Sequence, residues 1–199
     1  MTMTQTRSLD ERLEAILPEL QSEKFLKQQS ISNEIGYHIF DYDPEHEGQI
    51  RLFLQKSILS KNTADFSFLA VNLFELMLSM LADQGYIEGA NELEQEEGSA
   101  ALLEGLKDFL NPAEVTQALS ERLLPRHRFV LLYGVGEAWP VLRTHELLNN
   151  MHALIDRIPV VVFYPGRYAM EQLHLFNAFK DDNYYRAFAL VPRTSYVKD

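Results

Sequence analysis

The chain has 199 residues, of which 46% are hydrophobic and 11% aromatic, so it can form a packed core and is not a disordered chain. Its formal net charge of −11 disfavours general binding to the phosphate backbones of DNA or RNA, and the absence of cysteine excludes disulfides, thiol nucleophiles and cysteine-based metal sites. We expect a cytoplasmic protein, because the polar N-terminal residues show no signal peptide and no apolar run approaches the ~20 residues of a membrane span.

The first 84 residues alternate predicted helices and strands. Apolar residues at helical spacing indicate the helices, and short apolar runs bounded by turn residues indicate the strands. In chain order, the predicted elements are a helix at 9–29 with a break near Pro18, a strand at 35–42, a helix at 46–60, a strand at 66–71 and a helix at 73–84.

The middle of the chain is predicted to be helical throughout. Residues 88–98 are rich in glutamate and are typical of a solvated linker or helix. Two further helices are predicted at residues 100–110 and 112–124, the second with the start signal Asn111-Pro112. We therefore predict a helical insertion around residues 86–125.

The C-terminal part returns to alternating elements. They are a strand at 129–133, a helix at 140–154, a strand at 159–164, a short helix at 171–179 and a strand at 186–191. Continuous apolar strands separated by helices predict a mostly parallel sheet covered on both faces. The expected fold is a single α/β domain over residues 1–199, with about five strands and a P-loop-NTPase-like or Rossmann-like topology without a Walker A motif.

A ligand cleft is expected at the carboxyl ends of the strands, where open parallel sheets usually bind ligands. The residues predicted there are Asp41, Asn72, Gly134, Gly136, Glu137 and Tyr164. This arrangement indicates a nucleotide cleft, but no glycine is followed by the lysine of a P-loop, and the Gly134/Gly136 pair lacks the third glycine of the dinucleotide fingerprint. A turn that needs positive φ is the alternative explanation of these glycines.

The carboxylates and histidines assign no metal, cofactor or catalytic residue. Asp41 and Asp43, together with Asp182, are a conceivable Mg²⁺ set, but a solvated loop with an Asn/Asp turn explains the same residues. His145 has no second histidine at i+4, and a capping or core role is favoured over a general base. The basic residues Arg122, Arg126, His127 and Arg128 are the remaining candidate for local nucleic-acid contact.

Several segments, taken together and in order, are similar to the signatures of one known family. They are residues 33–36 and 39–42, then residues 134–136, Pro140, residues 143–145 and 147–150, and finally residues 163–166 and 181–188. Over about residues 8–192 the chain resembles the BrxB family of BREX bacteriophage-exclusion systems. Within these signatures we single out a structural or recognition cluster, which consists of Arg143, His145, Asp181, Asp182, Asn183, Tyr184, Tyr185 and Arg186.

The resemblance implies a small cytoplasmic component of a multi-gene antiviral system. Such systems also contain a PglZ-type alkaline-phosphatase-like protein, a large AAA+ ATPase and an adenine-specific DNA methyltransferase. Because the family has no established catalytic residues, the expected function is a non-catalytic adaptor that binds other BREX proteins. The PglZ-like protein is the preferred partner and the AAA+ ATPase the second candidate.

Other functions remain open at the level of sequence. The main alternative is a nucleotide-binding or hydrolysing subunit that uses the strand-end cleft. A DNA-contacting subunit is the weakest alternative because of the net charge of −11. A homodimer is supported only by the general abundance of symmetric dimers.

Overall fold

The computed structural model describes residues 3–27, 36–151, 158–180 and 187–197. Its strands are β1 (Met3–Thr6), β2 (Tyr37–Tyr42), β3 (Leu69–Asn72), β4 (Val130–Tyr133), β5 (Val160–Ala169), β6 (Gln172–Leu175), β7 (Phe179–Lys180), β8 (Phe188–Ala189) and β9 (Thr194–Val197). Its α-helices are α1 (Leu9–Gln21), α2 (Glu23–Lys27), α3 (Glu47–Phe53), α4 (Leu73–Asp83), α5 (Ile87–Glu97), α6 (Ser99–Phe109), α7 (Pro112–Arg122), α8 (Val135–Ala138) and α9 (Thr144–Asn150).

Five strands form a parallel sheet at the centre, in the order β3-β4-β5-β2-β8. All six residues of β2 are buried, and so are the first seven of β5. Such continuous burial is expected for parallel strands that are covered on both faces. The predicted α/β class, the mostly parallel sheet and the helical insertion, which is α5 to α7, are confirmed.

The strand order places a topological switch point between β2 and β5. The first core strand, β2, lies between the fourth, β5, and the fifth, β8, whereas in the Rossmann order the first strand lies between the second and fourth. The chain runs from β2 to β3, at one edge of the sheet, and from β5 to β8, at the opposite edge. Ligands of open α/β sheets bind beside the carboxyl ends of two strands related in this way.

The short helix predicted at residues 171–179 is wrong. These residues form β6 and β7, and β6 pairs antiparallel with the end of β5. The turn between β5 and β6 consists of Met170 and Glu171, both at positive φ, which is the geometry of a tight two-residue hairpin turn. Leu173 and Leu175 are both buried, and their spacing of two residues is the period of a strand.

Two predicted helices have different limits in the structure. Helix α1 continues through Pro18 and ends at Gln21, because the next residue, Ser22, takes an extended conformation. Of the helix predicted at 140–154, the described residues 140–151 contain α9, and a separate short helix, α8, precedes it. The terminal strands β1 and β9, which pair antiparallel with each other, were not predicted.

Candidate functional site

A cluster of two carboxylates and two arginines lies at the carboxyl end of β2. The carboxylate of Asp41 accepts hydrogen bonds from Arg12 Nη2 and from Arg193 Nε, each at 2.8 Å. Its Oδ2 atom also accepts from the backbone N–H of Tyr168 in β5, at 3.3 Å. Arg193 donates in addition to Asp43 Oδ2, at 3.0 Å. We call Arg12, Asp41, Asp43 and Arg193 the charged cluster.

Backbone oxygens and an aromatic ring complete the surroundings of the two arginines. Arg12 Nε donates to the carbonyl oxygen of Val191 at 3.0 Å, and its guanidinium lies 4.5 Å from the centre of the Phe40 ring. Arg193 Nη2 donates to the carbonyl oxygen of Gly166 at 3.1 Å. The cluster therefore joins α1, the ends of β2 and β5, and the segment that follows β8.

Burial and pairing shift the acid–base properties of the cluster. The hydrogen bond from Arg193 lowers the pKa of Asp43, against the opposing effect of partial burial. Burial lowers the pKa of the Arg12 guanidinium, and the charge of Asp41 opposes this change. Because Asp41 and Asp43 both accept from guanidinium groups, these contacts favour a structural role.

The candidate Asn72 has a structural task at the start of α4. Its Oδ1 atom accepts from the backbone N–H groups of Phe74, at 3.0 Å, and Glu75, at 3.3 Å, and so caps the helix. Gly134 lies beside it with φ of 72°, and a Cβ atom at Gly134 would come within 2.2 Å of Asn72 Oδ1. The structure thus brings Asn72 and Gly134 together. Their close contact, together with the positive φ, explains why residue 134 is a glycine.

Gly136 and Glu137 lie in α8, close to other elements. A Cβ atom at Gly136 would come within 2.9 Å of the Phe176 ring. Glu137 accepts a hydrogen bond from Arg51 of α3, and Arg51 also donates to Glu47 Oε1 at 3.2 Å. These contacts place Gly136 and Glu137 in the packing of α8 against its neighbours.

The remaining candidates are distributed over other parts of the structure. Tyr164 is buried in β5 and is the register partner of Asp41. Arg143 is exposed immediately before α9, and His145 Nε2 in α9 lies 3.6 Å from Glu146 Oε1. Asp181, Asp182, Asn183, Tyr184, Tyr185 and Arg186 lie outside the described residues. A ligand site at these positions therefore stays a prediction.

Sequence reasoning missed Arg12 and Arg193. For Arg12 a signal exists, because it shares one stripe of α1 with Ile16 and Leu20, and both of those side chains are fully buried. An arginine on the buried stripe of a helix requires an anionic partner nearby. Arg193 follows a proline in a C-terminal segment whose local pattern carries no comparable signal.

Metal ligands and membrane spans were also sought in the described ranges. Within them, no group of three or more histidine, aspartate or glutamate side chains is arranged to hold a metal ion. None of the helices there combines the length and the apolar character that crossing a bilayer requires.

The fold and the site define a parallel α/β protein whose acidic strand-end residues are held by arginines. A sequence model described as BREX protein BrxB matches residues 69–190. The chain is also 38% identical to a BREX protein BrxB of Bacillus cereus (strain H3081.97), over 94% of this chain and 100% of that protein. It is 35% identical to a BREX protein BrxB of Escherichia coli O9:H4 (strain HS), over 94% of this chain and 93% of that protein.

The chain belongs to the BrxB family, and the family membership supports a role in BREX phage defence. The resemblance seen in the sequence signatures is thereby confirmed. No solved structure matches the chain significantly.

Proposed function

We propose that this protein is a non-catalytic, cytoplasmic adaptor of a BREX system that binds other BREX proteins. The PglZ-like protein is the preferred partner, and the AAA+ ATPase is the second candidate. The observation that carries the proposal is a set of exposed apolar side chains on α4 and at the start of the helical insertion.

Helices α5 and α6 pack on each other but contain no buried residue. Gly105 of α6 lies against Leu93 of α5, since a Cβ atom at Gly105 would come 3.4 Å from Leu93 Cδ2. At the other end of the pair, the rings of Tyr86 and Phe109 meet edge to face at 5.1 Å. Leu106 and Phe109 of α6 are partly buried against the core. Amphipathic helices without a fully buried residue keep apolar area that is suited to pack against a partner.

Large apolar side chains are exposed on α4 and at the start of α5. Phe74 and Leu78 are 38% and 42% exposed, and they lie one turn apart on the outer side of α4. Tyr86 and Ile87 are 50% and 37% exposed. We call Phe74, Leu78, Tyr86 and Ile87 the apolar surface; aromatic side chains of this kind dominate the energetics of many protein interfaces.

Helix α5, which begins at Ile87 of the apolar surface, is strongly negative. Its acidic residues are Glu88, Glu92, Glu94, Glu96 and Glu97. Interfaces commonly combine an apolar centre with a polar rim, and complementary charge speeds association. The matching partner surface has an apolar centre and a basic rim.

The test is recovery of BREX proteins on the tagged chain from cells that carry the whole BREX system. We expect the wild type to recover the PglZ-like protein or the AAA+ ATPase, and the double variant Phe74→Ser/Leu78→Ser to lose it. Leu52→Ser is the matched control, because Leu52 is 50% exposed but lies in α3, outside the apolar surface. A wild-type chain that recovers no BREX protein would refute the adaptor role.

The alternative of a nucleotide-binding subunit stays a prediction. A thermal-shift screen with ATP, GTP and Mg²⁺ tests it, because a ligand at 100 times its Kd stabilises the folded state by about 2.7 kcal/mol. No shift with any nucleotide would leave the adaptor role as the remaining proposal.

A further inference from the structure

A pocket of about 420 Å³ lies beside the charged cluster. Its wall includes the chain leading into α1, the loop that follows β2, the outer part of β5 and the start of β9. It therefore adjoins the switch point between β2 and β5, and its volume lies within the range of roughly 300–1,000 Å³ that is usual for small-ligand sites.

The lining of this pocket is positively charged, although the whole chain carries a net charge of −11. Its basic residues are Arg7, Arg12, Arg167, Arg193 and His46, and Asp43 is the acidic residue among the described lining residues. Asp41 lies behind Arg12 and Arg193. The lining itself therefore carries four guanidinium groups and one carboxylate, and its positive charge is partly offset by Asp41 and by Glu11, which interacts with Arg7.

The guanidinium groups of Arg12 and Arg193 are hydrogen-bonded to carboxylates and carbonyl oxygens, whereas those of Arg7 and Arg167 remain available for a ligand. Within the described residues, neither side chain makes a hydrogen bond or a close ion pair. Glu11, whose charge interacts with Arg7, is held in the N-terminal cap of α1, where its Oε2 accepts from Ser8 N at 2.7 Å. Arg167 is exposed and interacts only at longer range with Asp43.

Hydrogen bonding and strand pairing hold the backbone of both arginines in place. The N–H of Arg7 donates to the carbonyl oxygen of Arg193 at 2.8 Å, which fixes the start of α1 beside the cluster. Arg167 is paired through the antiparallel β5–β6 register with His174, so its backbone is also held. An anion entering the pocket thus meets guanidinium groups on ordered segments, which reduces the entropy lost on binding.

We propose that this pocket binds the phosphate group of a small ligand, with Arg7 and Arg167 as the principal contacts. A guanidinium group matches the oxygen atoms of phosphate with paired hydrogen bonds. The excess of arginine over carboxylate in the lining suits a phosphate monoester, which carries about −1.5 to −2 near neutral pH. The enclosed volume and the overall negative charge favour a small molecule over a nucleic-acid backbone.

The test is titration calorimetry of the full chain with inorganic phosphate, glucose 6-phosphate and adenosine 5′-monophosphate. Each of Arg7→Gln and Arg167→Gln is expected to raise the Kd about tenfold or more, because a hydrogen bond to a charged group contributes roughly 1.5–3 kcal/mol. Arg126→Gln is the control: it makes the same change of charge at an exposed residue outside the pocket lining. Tighter binding of glucose 6-phosphate or adenosine 5′-monophosphate than of inorganic phosphate would show that the ligand is an organic phosphate.

Acetate, and sodium chloride at matched ionic strength, separate phosphate recognition from general screening. Equal binding of acetate, equal losses in all three variants, or no binding of any phosphate compound would overturn the proposal. Because the pocket lining shares no residue with the apolar surface, the recovery experiment with Phe74→Ser/Leu78→Ser and this titration fail independently.

Discussion

The charged cluster and the helical insertion differ in how their side chains are used. In the cluster, Asp41 is almost fully buried and has three hydrogen-bond donors from three segments of the chain. In the insertion, α5 and α6 contain no buried residue, and acidic side chains are in solvent. Charge at the sheet end is therefore used within the fold, whereas α5 and α6 leave most of their side chains accessible to another protein.

The largest expected effect comes from removing one charge of the cluster. Asp41→Asn leaves Arg12, 3% exposed, without its anion and is expected to lower the free energy of unfolding by about 3–5 kcal/mol. Urea denaturation measures this loss. In the insertion, Lys107 and Glu104 form an ion pair of 3.1 Å with a largely exposed glutamate. Glu104→Gln is therefore expected to cost less than about 1 kcal/mol.

A comparable loss for both charge removals would abolish the distinction between the two regions. A further variant sharpens the first result. Adding Arg12→Met to Asp41→Asn removes the unpaired positive charge of the buried Arg12. The double variant is therefore expected to recover part of the stability lost by Asp41→Asn alone.

The second effect is a pH dependence that arises from His38 in β2. Burial, aided by the charge of Lys24, lowers the pKa of His38 from 6.5 to about 4, and within the described residues its Nε2 atom has no hydrogen-bond partner. The unfolded chain therefore takes up the proton first. The stability contributed by neutral His38 is complete above pH 6.5 and is lost as the pH falls from 6.5 to 4, by about 3 kcal/mol.

The measurement is the free energy of unfolding as a function of pH for the wild type and His38→Phe. The phenylalanine ring suits this position, because His38 lies between the rings of Phe25 and Phe188, at centroid distances of 4.8 and 5.6 Å. The difference between the two proteins is expected to change steeply between pH 6.5 and 4. A difference that stays constant over that range would show that His38 does not titrate as described.

The third effect compares two glycines with nearly the same backbone angle. Gly134→Ala is expected to cost about 2–3 kcal/mol, because left-handed strain of about 1–2 kcal/mol is joined by loss of the Asn72 cap. Gly85, which precedes α5, has φ of 71°, but a Cβ atom at this residue would meet no other atom within 4 Å. Gly85→Ala should therefore lose only the stability that corresponds to the backbone strain. Equal losses of stability in Gly85→Ala and Gly134→Ala, measured by thermal unfolding, would argue against a role for the Asn72 contact.

The smallest effect on stability is expected on the outer side of α4. Leu78→Ala should change the free energy of unfolding by no more than about 0.5 kcal/mol, because Leu78 is 42% exposed. Leu76, two residues earlier, is 3% exposed, and Leu76→Ala is expected to cost about 2–5 kcal/mol. A large loss for Leu78→Ala would show that its surface is needed for folding and is not free for a partner.

The sequence pattern predicted most of the sheet because its strands are continuous apolar runs. The start of α7 was also predictable, since Asn111 Oδ1 accepts from the backbone of Ala113 and Glu114 as a helix cap should. By contrast, the hairpin of β5 and β6 was missed. Its turn uses Met170 and Glu171 at positive φ, where sequence reasoning looks for glycine or asparagine.

The candidate site was less predictable, because its contacts join distant parts of the chain. Arg193 and Asp41 are 152 residues apart, and no local period links them. The predicted strand-end residues were chosen by their position, and the structure gives Asn72 a helix cap and Glu137 an arginine partner. Position at a strand end places these residues at the carboxyl edge of the sheet, but the partners of each side chain depend on tertiary packing.

The most direct test of the adaptor role is the affinity of the purified chain for the purified PglZ-like protein. We expect wild-type binding to weaken at least about tenfold in Phe74→Ser/Leu78→Ser, since truncation of a few central residues of an interface accounts for most of its binding energy, at about 2 kcal/mol or more each. Leu52→Ser and Arg167→Gln should bind like the wild type. An unchanged Kd in the Phe74→Ser/Leu78→Ser variant would contradict the proposed role of the apolar surface.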